Sequence, residues 1–126
     1  MKRSGLMPML LLALSALAVL AGCGTPLDTA EDVYSVEESA ARKSYIIVGT
    51  AHARGEATDE QLAEARTLYD ACFQAQSELY EELTAARAED DTSLLKPGRR
   101  EKVTRLTTEV NRTTFLLVKL AKEVTK

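Results

Sequence analysis

The sequence predicts an all-α protein, and three observations support this fold class. Three stretches carry apolar residues at alternating spacings of three and four, which places them on one face of a helix. Capping residues, glycine and proline separate these stretches, and no stretch alternates apolar and polar residues as a half-buried strand does. We therefore expect residues 32–126 to form an antiparallel three-helix bundle, or a coiled-coil-like hairpin with one further helix.

The first helix is expected from about Asp32 to Arg54, because Gly55 follows at the position that commonly ends a helix. Its apolar face is predicted to contain Val33, Val36, Ala40, Ile47 and Ala51, with Ser44 in the gap and Tyr34, Ala41, Tyr45 and Val48 widening it. Residues 24–31 contain a glycine and a proline and have no apolar period. They are therefore predicted to form a short tether.

The second helix is expected to begin with a capping box, in which Thr58 and Gln61 satisfy each other's backbone amides, and to run to about Glu89. Its seam residues alternate strictly: Leu62, Ala65, Tyr69, Cys72, Gln76, Leu79, Leu83 and Ala86. This spacing is the a/d pattern of a heptad seam. One member, Gln76, is polar, and such a residue fixes the register of facing helices at some cost in stability.

A third helix is expected after the acidic loop at residues 89–93, with Pro97 at its entry. Its seam is again regular: Val103, Leu106, Val110, Thr113, Leu117, Leu120 and Val124. The second and third helices should form the principal hairpin, because their seams match in period and length. Phe115, Leu116 and Val118 lie off this seam, so they are predicted to be buried from several sides or to contact a partner.

Charge is divided unevenly along the chain. Residues 28–91 hold sixteen acids and five bases, whereas residues 96–126 hold nine bases and three acids. Four of these bases fall within seven residues: Arg99, Arg100, Lys102 and Arg105. Two alternatives follow for these bases. They pair across the hairpin with Glu78, Glu81, Glu82 or Glu89, or they contact lipid head groups or an acidic protein partner.

The N-terminal segment has the pattern of a secretory signal. Lys2 and Arg3 precede an almost wholly apolar run of 16 residues from Leu6 to Ala21. This run is shorter than the roughly 20 apolar residues that a transmembrane helix needs. Because export removes a chain from the compartment that holds nucleic acid, no nucleic-acid partner is expected.

The end of this run, Leu20-Ala21-Gly22-Cys23, resembles the lipobox of bacterial lipoproteins. The resemblance implies a signal peptide at residues 1–22, cleavage between Gly22 and Cys23, and acyl chains, palmitate among them, on Cys23. Residues 23–31 would then be the lipidated cysteine and its tether. The membrane would be a partner through this lipid.

Gly24 and Cys72 bear on the compartment and on assembly. In Gram-negative lipoproteins, an aspartate directly after the lipidated cysteine favours the inner membrane, so Gly24 implies the periplasmic face of the outer membrane. With Cys23 lipidated, Cys72 has no internal partner for a disulfide in an oxidising compartment. It is expected to be either a buried thiol in the seam or half of an intermolecular disulfide, and a closed bundle favours the buried thiol.

No combination of residues predicts catalysis, a metal site or a cofactor. Ser93 and Lys96 match the Ser-x-x-Lys pattern of penicillin-binding enzymes, but the companion elements of that pattern are absent from the sequence. His52 is the only histidine, and one imidazole with one thiol falls short of a zinc site. We therefore expect a protein that is not an enzyme.

These patterns predict a lipid-anchored helical protein of the cell envelope that binds another protein or assembles with itself. A first alternative is a lysis or exclusion lipoprotein of a phage or prophage, including the outer-membrane spanin type. The chain resembles that class in size, anchor and lone cysteine only. A second alternative is an enzyme with an unrecognised site, which a deep polar pocket lined by ionisable groups would support.

Overall fold

The computed structural model describes residues 25–126. These residues form three helices: α1 (Pro26–Ala53), α2 (Asp59–Ala88) and α3 (Arg99–Val124). Each helix packs against the other two, and the largest interface joins α2 and α3. The expected all-α fold is therefore confirmed, as a three-helix bundle, and no strand occurs within the described residues. The expectations for Gly22, Cys23 and Gly24 concern residues outside this range.

Ring contacts between α1 and α2 establish the direction of the helices. Tyr34 lies 6.0 Å from Tyr80, and Tyr45 stacks on Tyr69 at 4.6 Å between ring centroids. Residue numbers rise along α1 as they fall along α2, so these two helices are antiparallel. Helices α2 and α3 are also antiparallel, because Glu82 contacts Arg99 and Cys72 contacts Thr114. Helices α1 and α3 are therefore parallel.

Helix α1 begins at Pro26, earlier than expected, so the predicted tether is wrong from that residue onward. Thr25 caps the helix, because its hydroxyl accepts a hydrogen bond from the Asp28 amide at 3.1 Å. Pro26 occupies a first-turn position where its missing N–H costs nothing. Leu27 is fully buried, which ties this first turn into the core.

The core-facing side of α1 also differs from the expectation. Its buried residues are Leu27, Thr29, Glu37, Ala41, Ser44, Val48 and Ala51. Two residues of the predicted face, Val36 and Ile47, are instead 63% and 41% exposed. The helix carries two neighbouring apolar stripes, and the one that places Tyr34 and Tyr45 against the tyrosines of α2 faces the core.

The faces predicted for α2 and α3 are confirmed. The capping box forms, with the Thr58 amide donating to Gln61 Oε1 at 2.8 Å and the Gln61 amide donating to Thr58 Oγ1 at 3.0 Å. All predicted seam residues of α2 are buried except Leu62 and Tyr69, which pack partly buried against the core. In α3 every predicted seam residue is buried.

The loop between α2 and α3 uses left-handed backbone at three positions. Asp90 has a φ of 59°, Leu94 of 56° and Gly98 of 79°. This conformation is easy for glycine but costs a residue with a side chain about 1–2 kcal/mol. Helix α3 begins directly after Gly98, so Pro97 precedes the helix instead of lying in its first turn.

Candidate functional site

The loop between α2 and α3 is organised around Arg99, whose side chain is 8% exposed. The guanidinium donates from Nε to Glu82 Oε1 at 3.2 Å, from Nη1 to Asp91 Oδ2 at 2.9 Å, and from Nη2 to Glu89 Oε2. Of the two alternatives for Arg99, pairing within the protein is the one observed, with Glu82 and Glu89 among its partners. Arg99 is buried because it lies on the α3 seam, one turn before Val103.

These hydrogen bonds govern the ionisation of the loop carboxylates. Burial raises the pKa of Asp91, but hydrogen bonds from Arg99 and from the amides of Leu95 and Lys96 outweigh it, so the pKa lies below its ordinary value. Hydrogen bonds from Lys96 and then from Arg99 lower the pKa of Glu89. Both carboxylates are therefore held in the charged form in the folded protein.

Of the other three clustered bases, one is paired and two have no ion-pair partner among the described residues. Lys102 Nζ lies 3.3 Å from Glu82 Oε2. Arg100 and Arg105 are exposed and have no ion-pair partner within residues 25–126. Of the four bases singled out in the sequence, Arg100 and Arg105 are thus the ones left to meet a partner.

A second apolar stripe on α1 lies outside the core. Val36, Ala40 and Ile47 follow one another at spacings of four and seven, with Lys43 between the last two. Val36 and Ile47 are 63% and 41% exposed, and Ala40 is half-buried. These spacings correspond to whole turns of a helix, so the three apolar residues lie on one line along α1, and Lys43 occupies the turn between Ala40 and Ile47.

The tyrosine contacts determine which way this stripe faces. Tyr34 and Tyr45 lie on the flank of α1 that faces α2. Successive residues turn by about 100° around a helix, which places Val36 on the opposite flank from Tyr34. The stripe therefore borders the groove between α1 and α3.

The three apolar residues singled out on α3 are all half-buried, but they do not form one patch. Lys102 pairs with Glu82 of α2, and Leu116 lies on that same flank of α3. Val118 lies on the other flank of α3, towards α1. Phe115 lies one turn before Val118, at the outer edge of that flank. The structure therefore separates Leu116 from the other two.

A side-chain hydrogen bond joins Glu37 of α1 to Thr114 of α3, so these two residues lie at the same height along the bundle. Val36 precedes Glu37, and Phe115 follows Thr114. Val36 and the half-buried Val118 therefore border the same groove, with Phe115 at its outer edge. We call this surface the α1–α3 apolar face, and it consists of Val36, Ala40, Ile47, Phe115 and Val118.

A buried polar layer lies beneath this face, and its acidic member, Glu37, is not predicted from the sequence pattern. Glu37 is 5% exposed, and its Oε2 atom has no hydrogen-bond partner among the described residues. Burial raises the pKa of Glu37, and the hydrogen bond from Thr114 offsets this only in part. The Nε2 atom of Gln76 is likewise buried without a partner among them.

Cys72 belongs to the same layer and is completely buried. Its Sγ atom lies 3.5 Å from Thr114 Oγ1. The buried-thiol expectation is therefore confirmed, and an intermolecular disulfide through Cys72 is incompatible with the closed bundle. The covalent dimer that a lysis-type lipoprotein would use cannot form without opening it.

The residues considered for catalysis make ordinary surface contacts. His52 Nε2 lies 2.7 Å from Asp59 Oδ1 across the turn between α1 and α2. Lys96 pairs with Glu89. Residues 25–126 contain no group of three or more His, Cys, Asp or Glu side chains that could hold a metal ion. Within the same range, no helix has the length and apolar character needed to cross a membrane.

Comparison with known proteins identifies no relative. No protein-family model matches the chain, and neither curated proteins nor solved structures give a match.

Proposed function

We propose that this protein is a lipid-anchored helical protein of the bacterial cell envelope that binds a helical segment of another chain through the α1–α3 apolar face. The anchor would be Cys23, because the residues around it resemble a lipobox. Gly24 favours the periplasmic side of the outer membrane as the location. The proposal assigns the protein no catalytic step, no metal, no cofactor and no nucleic-acid partner.

The exposure of aligned apolar residues on α1 supports the binding role. Val36 and Ile47 remain 63% and 41% exposed, and both lie on one line along α1 that borders the same groove as the half-buried Val118. Removing apolar surface from water contributes about 25 cal/mol per Å². A partner that covered this stripe would therefore gain free energy, and exposed patches of this kind mark protein-binding surfaces.

The spacing and charge of the stripe describe the partner. Apolar residues at helical spacing fit the apolar side of another helix, and a fourth helix in the groove would complete a four-helix bundle. Lys43 lies between Ala40 and Ile47, is exposed, and has no ion-pair partner within residues 25–126. The partner helix should therefore present an acidic residue opposite Lys43.

Photocrosslinking in whole cells tests the binding role. A photoreactive amino acid at Val36 should give a crosslinked species of defined mass, whereas one at Ala63, an exposed residue of α2, should not. A product of two copies would identify self-association, and a product with a second protein would identify a partner. No product at Val36, or equal products at both positions, would contradict the proposal.

Residues of α3 supply matched controls, because Val118 and Leu116 are both half-buried but lie on different flanks. Phe115→Ser and Val118→Ser should reduce the crosslinking yield at Val36 while the bundle stays folded. Leu116→Ser should leave the yield unchanged. A loss of yield only in Leu116→Ser would place the contact between α2 and α3 instead.

The anchor has its own test. The parent protein should incorporate radioactive palmitate and sediment with membranes. Cys23→Ala should lose both properties, since the cysteine sulfur and the new amino terminus are the acylated groups in lipoproteins. A Cys23→Ala protein that remains bound to membranes would rule out this anchor.

A further inference from the structure

The loop between α2 and α3 lies at the end of the bundle where the chain enters α1. The Leu27 amide donates to the Thr92 carbonyl at 3.0 Å. On the same end, Arg87 of α2 donates to Asp28 of α1 at 2.7 Å. The start of α1 and the residue 89–98 loop therefore form one surface of the molecule.

This end of the bundle is also the one closest to the proposed lipid. Only Gly24 and Thr25 separate Cys23 from the first residue of α1. Three residue steps span at most about 11 Å even when fully extended. With Cys23 lipidated, as proposed above, the loop is held next to the bilayer surface.

The loop presents one apolar side chain to its surroundings and holds it in place. Leu95 is 67% exposed, the highest value among the large apolar residues of the described chain, whereas the adjacent Leu94 is 5% exposed. Asp91 accepts hydrogen bonds from the amides of Leu95 at 3.1 Å and Lys96 at 3.4 Å. Leu94 is thereby fixed inward and Leu95 outward.

Basic residues surround Leu95. It lines a shallow, open groove together with Pro97, the basic Lys96, Arg100 and Arg105, and the acidic Glu101. Lys96 is paired with Glu89, whereas Arg100 and Arg105 have no ion-pair partner within residues 25–126. An apolar tip beside two such arginines is suited to the boundary between the head groups and acyl chains of anionic phospholipids.

We propose that Leu95, with Lys96, Pro97, Arg100 and Arg105, docks on an anionic phospholipid surface next to the acyl anchor. The inference rests on the proposed lipidation of Cys23, which brings the loop to the membrane.

The sequence contains no tryptophan, so a single introduced tryptophan reports on its surroundings without interference. The lipidated Leu95→Trp protein is reconstituted into vesicles of phosphatidylethanolamine and phosphatidylglycerol. Its tryptophan emission should shift to the blue relative to the same variant unfolded in urea. Acyl chains brominated near the head group should quench this emission by at least about half. Quenching of this kind requires the indole to enter the region that apolar side chains occupy in the interface.

Phe73→Trp is the matched control, because Phe73 is similarly exposed at 57% but lies about 21 Å along α2 from Arg87. Its tryptophan should not be quenched. Two charge reversals beside the loop, Arg100→Glu with Arg105→Glu in the first two turns of α3, should remove most of the quenching of Leu95→Trp. The same number of reversals elsewhere, at the exposed Arg66 and Lys119, should preserve it.

The outcomes separate this proposal from the anchor. Protein that fails to float with the vesicles would overturn the anchor and the docking together. Protein that floats while Leu95→Trp stays unquenched would overturn the docking alone. Quenching that survives the loop reversals, or is equal in phosphatidylcholine vesicles, would overturn the role of anionic lipid. A blue shift of the Leu95→Trp emission that appears only when another envelope protein is present, without quenching by brominated acyl chains, would assign the loop to that protein instead.

Discussion

Arg99 donates to Asp91 at 2.9 Å, and the same Asp91 carboxylate accepts the backbone amides of Leu95 and Lys96. One carboxylate thus joins the first turn of α3 to the loop that precedes it. The arrangement stabilises the left-handed Leu94 (φ 56°) and keeps its side chain in the core. Most of the ion pairs among residues 25–126 lie at this end of the bundle, the end nearest the proposed anchor.

Arg99→Ala should lower the free energy of unfolding more than Arg100→Ala does. Removing Arg99 leaves Asp91 and Glu82, both largely shielded from water, without their main partner. Arg100 is exposed and unpaired within residues 25–126, so its substitution should stay within about 0.5 kcal/mol of the parent. Urea denaturation at pH 7 measures both values, and equal effects would contradict the role of Arg99.

The stability difference between the parent and Arg99→Ala should shrink in acid. The pKa values of Asp91 and Glu89 are lowered in the folded protein. Their contribution is therefore present above the ordinary pKa values of 3.8 and 4.5 and is lost as the pH falls through the lowered values. Denaturation curves between pH 7 and pH 3 measure this. A difference that stays constant over that range would show that these carboxylates do not contribute.

Glu37→Gln should stabilise the protein at neutral and basic pH. Burial raises the pKa of Glu37 above its ordinary value of 4.5, so the folded state favours the protonated form. The parent consequently loses stability as the pH rises above 4.5 through the raised value, whereas the amide does not titrate. The advantage of Glu37→Gln should be large at pH 8 and vanish near pH 4.

The exposed Glu64 supplies the control for this experiment. Glu64→Gln should give no gain that grows with pH. A Glu37→Gln variant that is less stable than the parent at pH 8 would show that the charged carboxylate has a partner outside the described residues. Equal pH dependence in both variants would equally exclude a buried acid at position 37.

Glu37 also shows why α1 was predicted less well than α2 and α3. The seams of α2 and α3 each have one strict period, so burial could be assigned from spacing alone. On α1 the stripe that faces the core contains the polar Glu37 and Ser44, while the exposed stripe contains Val36 and Ile47. Hydrophobicity alone favours the stripe that is in fact exposed. The stacking of tyrosines on α1 and α2 selects the buried stripe, and the paired tyrosines are far apart in the sequence.

Two other features carried a recognisable local signal. Thr25 followed by Pro26 is a helix N-terminal pattern, although the missing apolar period of residues 24–31 favours a tether. Arg99 falls on the α3 seam one turn before Val103, which distinguishes it from Arg100. The exposure of Leu95 had no such signal, because it depends on how Asp91 folds the loop.

Leu79→Ala and Leu117→Ala should each destabilise the protein by about 2–5 kcal/mol, because truncating a buried leucine removes apolar contacts and leaves a cavity. Leu79 is 1% exposed and Leu117 is 0% exposed, on the facing seams of α2 and α3. Val36→Ala, at a 63% exposed position, should change the free energy of unfolding by less than about 0.5 kcal/mol. Urea denaturation measures all three. Changes below about half a kcal/mol for both leucines would mean that the seams are misassigned.

Cys72 should react with a maleimide only when the bundle opens. Its side chain is 0% exposed, and its Sγ atom lies against Thr114 Oγ1 at 3.5 Å. A reagent can reach such a thiol only through local or global unfolding, so labelling should be slow in buffer and fast in urea. In a Cys72→Ser background, Ala63→Cys places a thiol at an exposed position of α2 and should label at once in both.

A non-reducing gel of envelope fractions gives the complementary result for Cys72. The closed bundle predicts a monomer band only, because two buried thiols on separate molecules cannot bring their Cα atoms within the roughly 7 Å that a disulfide needs. A dimer band that disappears with reductant and in Cys72→Ser would mean that α2 leaves α1 and α3 to pair with its own copy. The tyrosine stacking of Tyr45 on Tyr69 would then be lost in the same molecules, so the two arrangements can be separated by the near-ultraviolet circular dichroism of the purified protein.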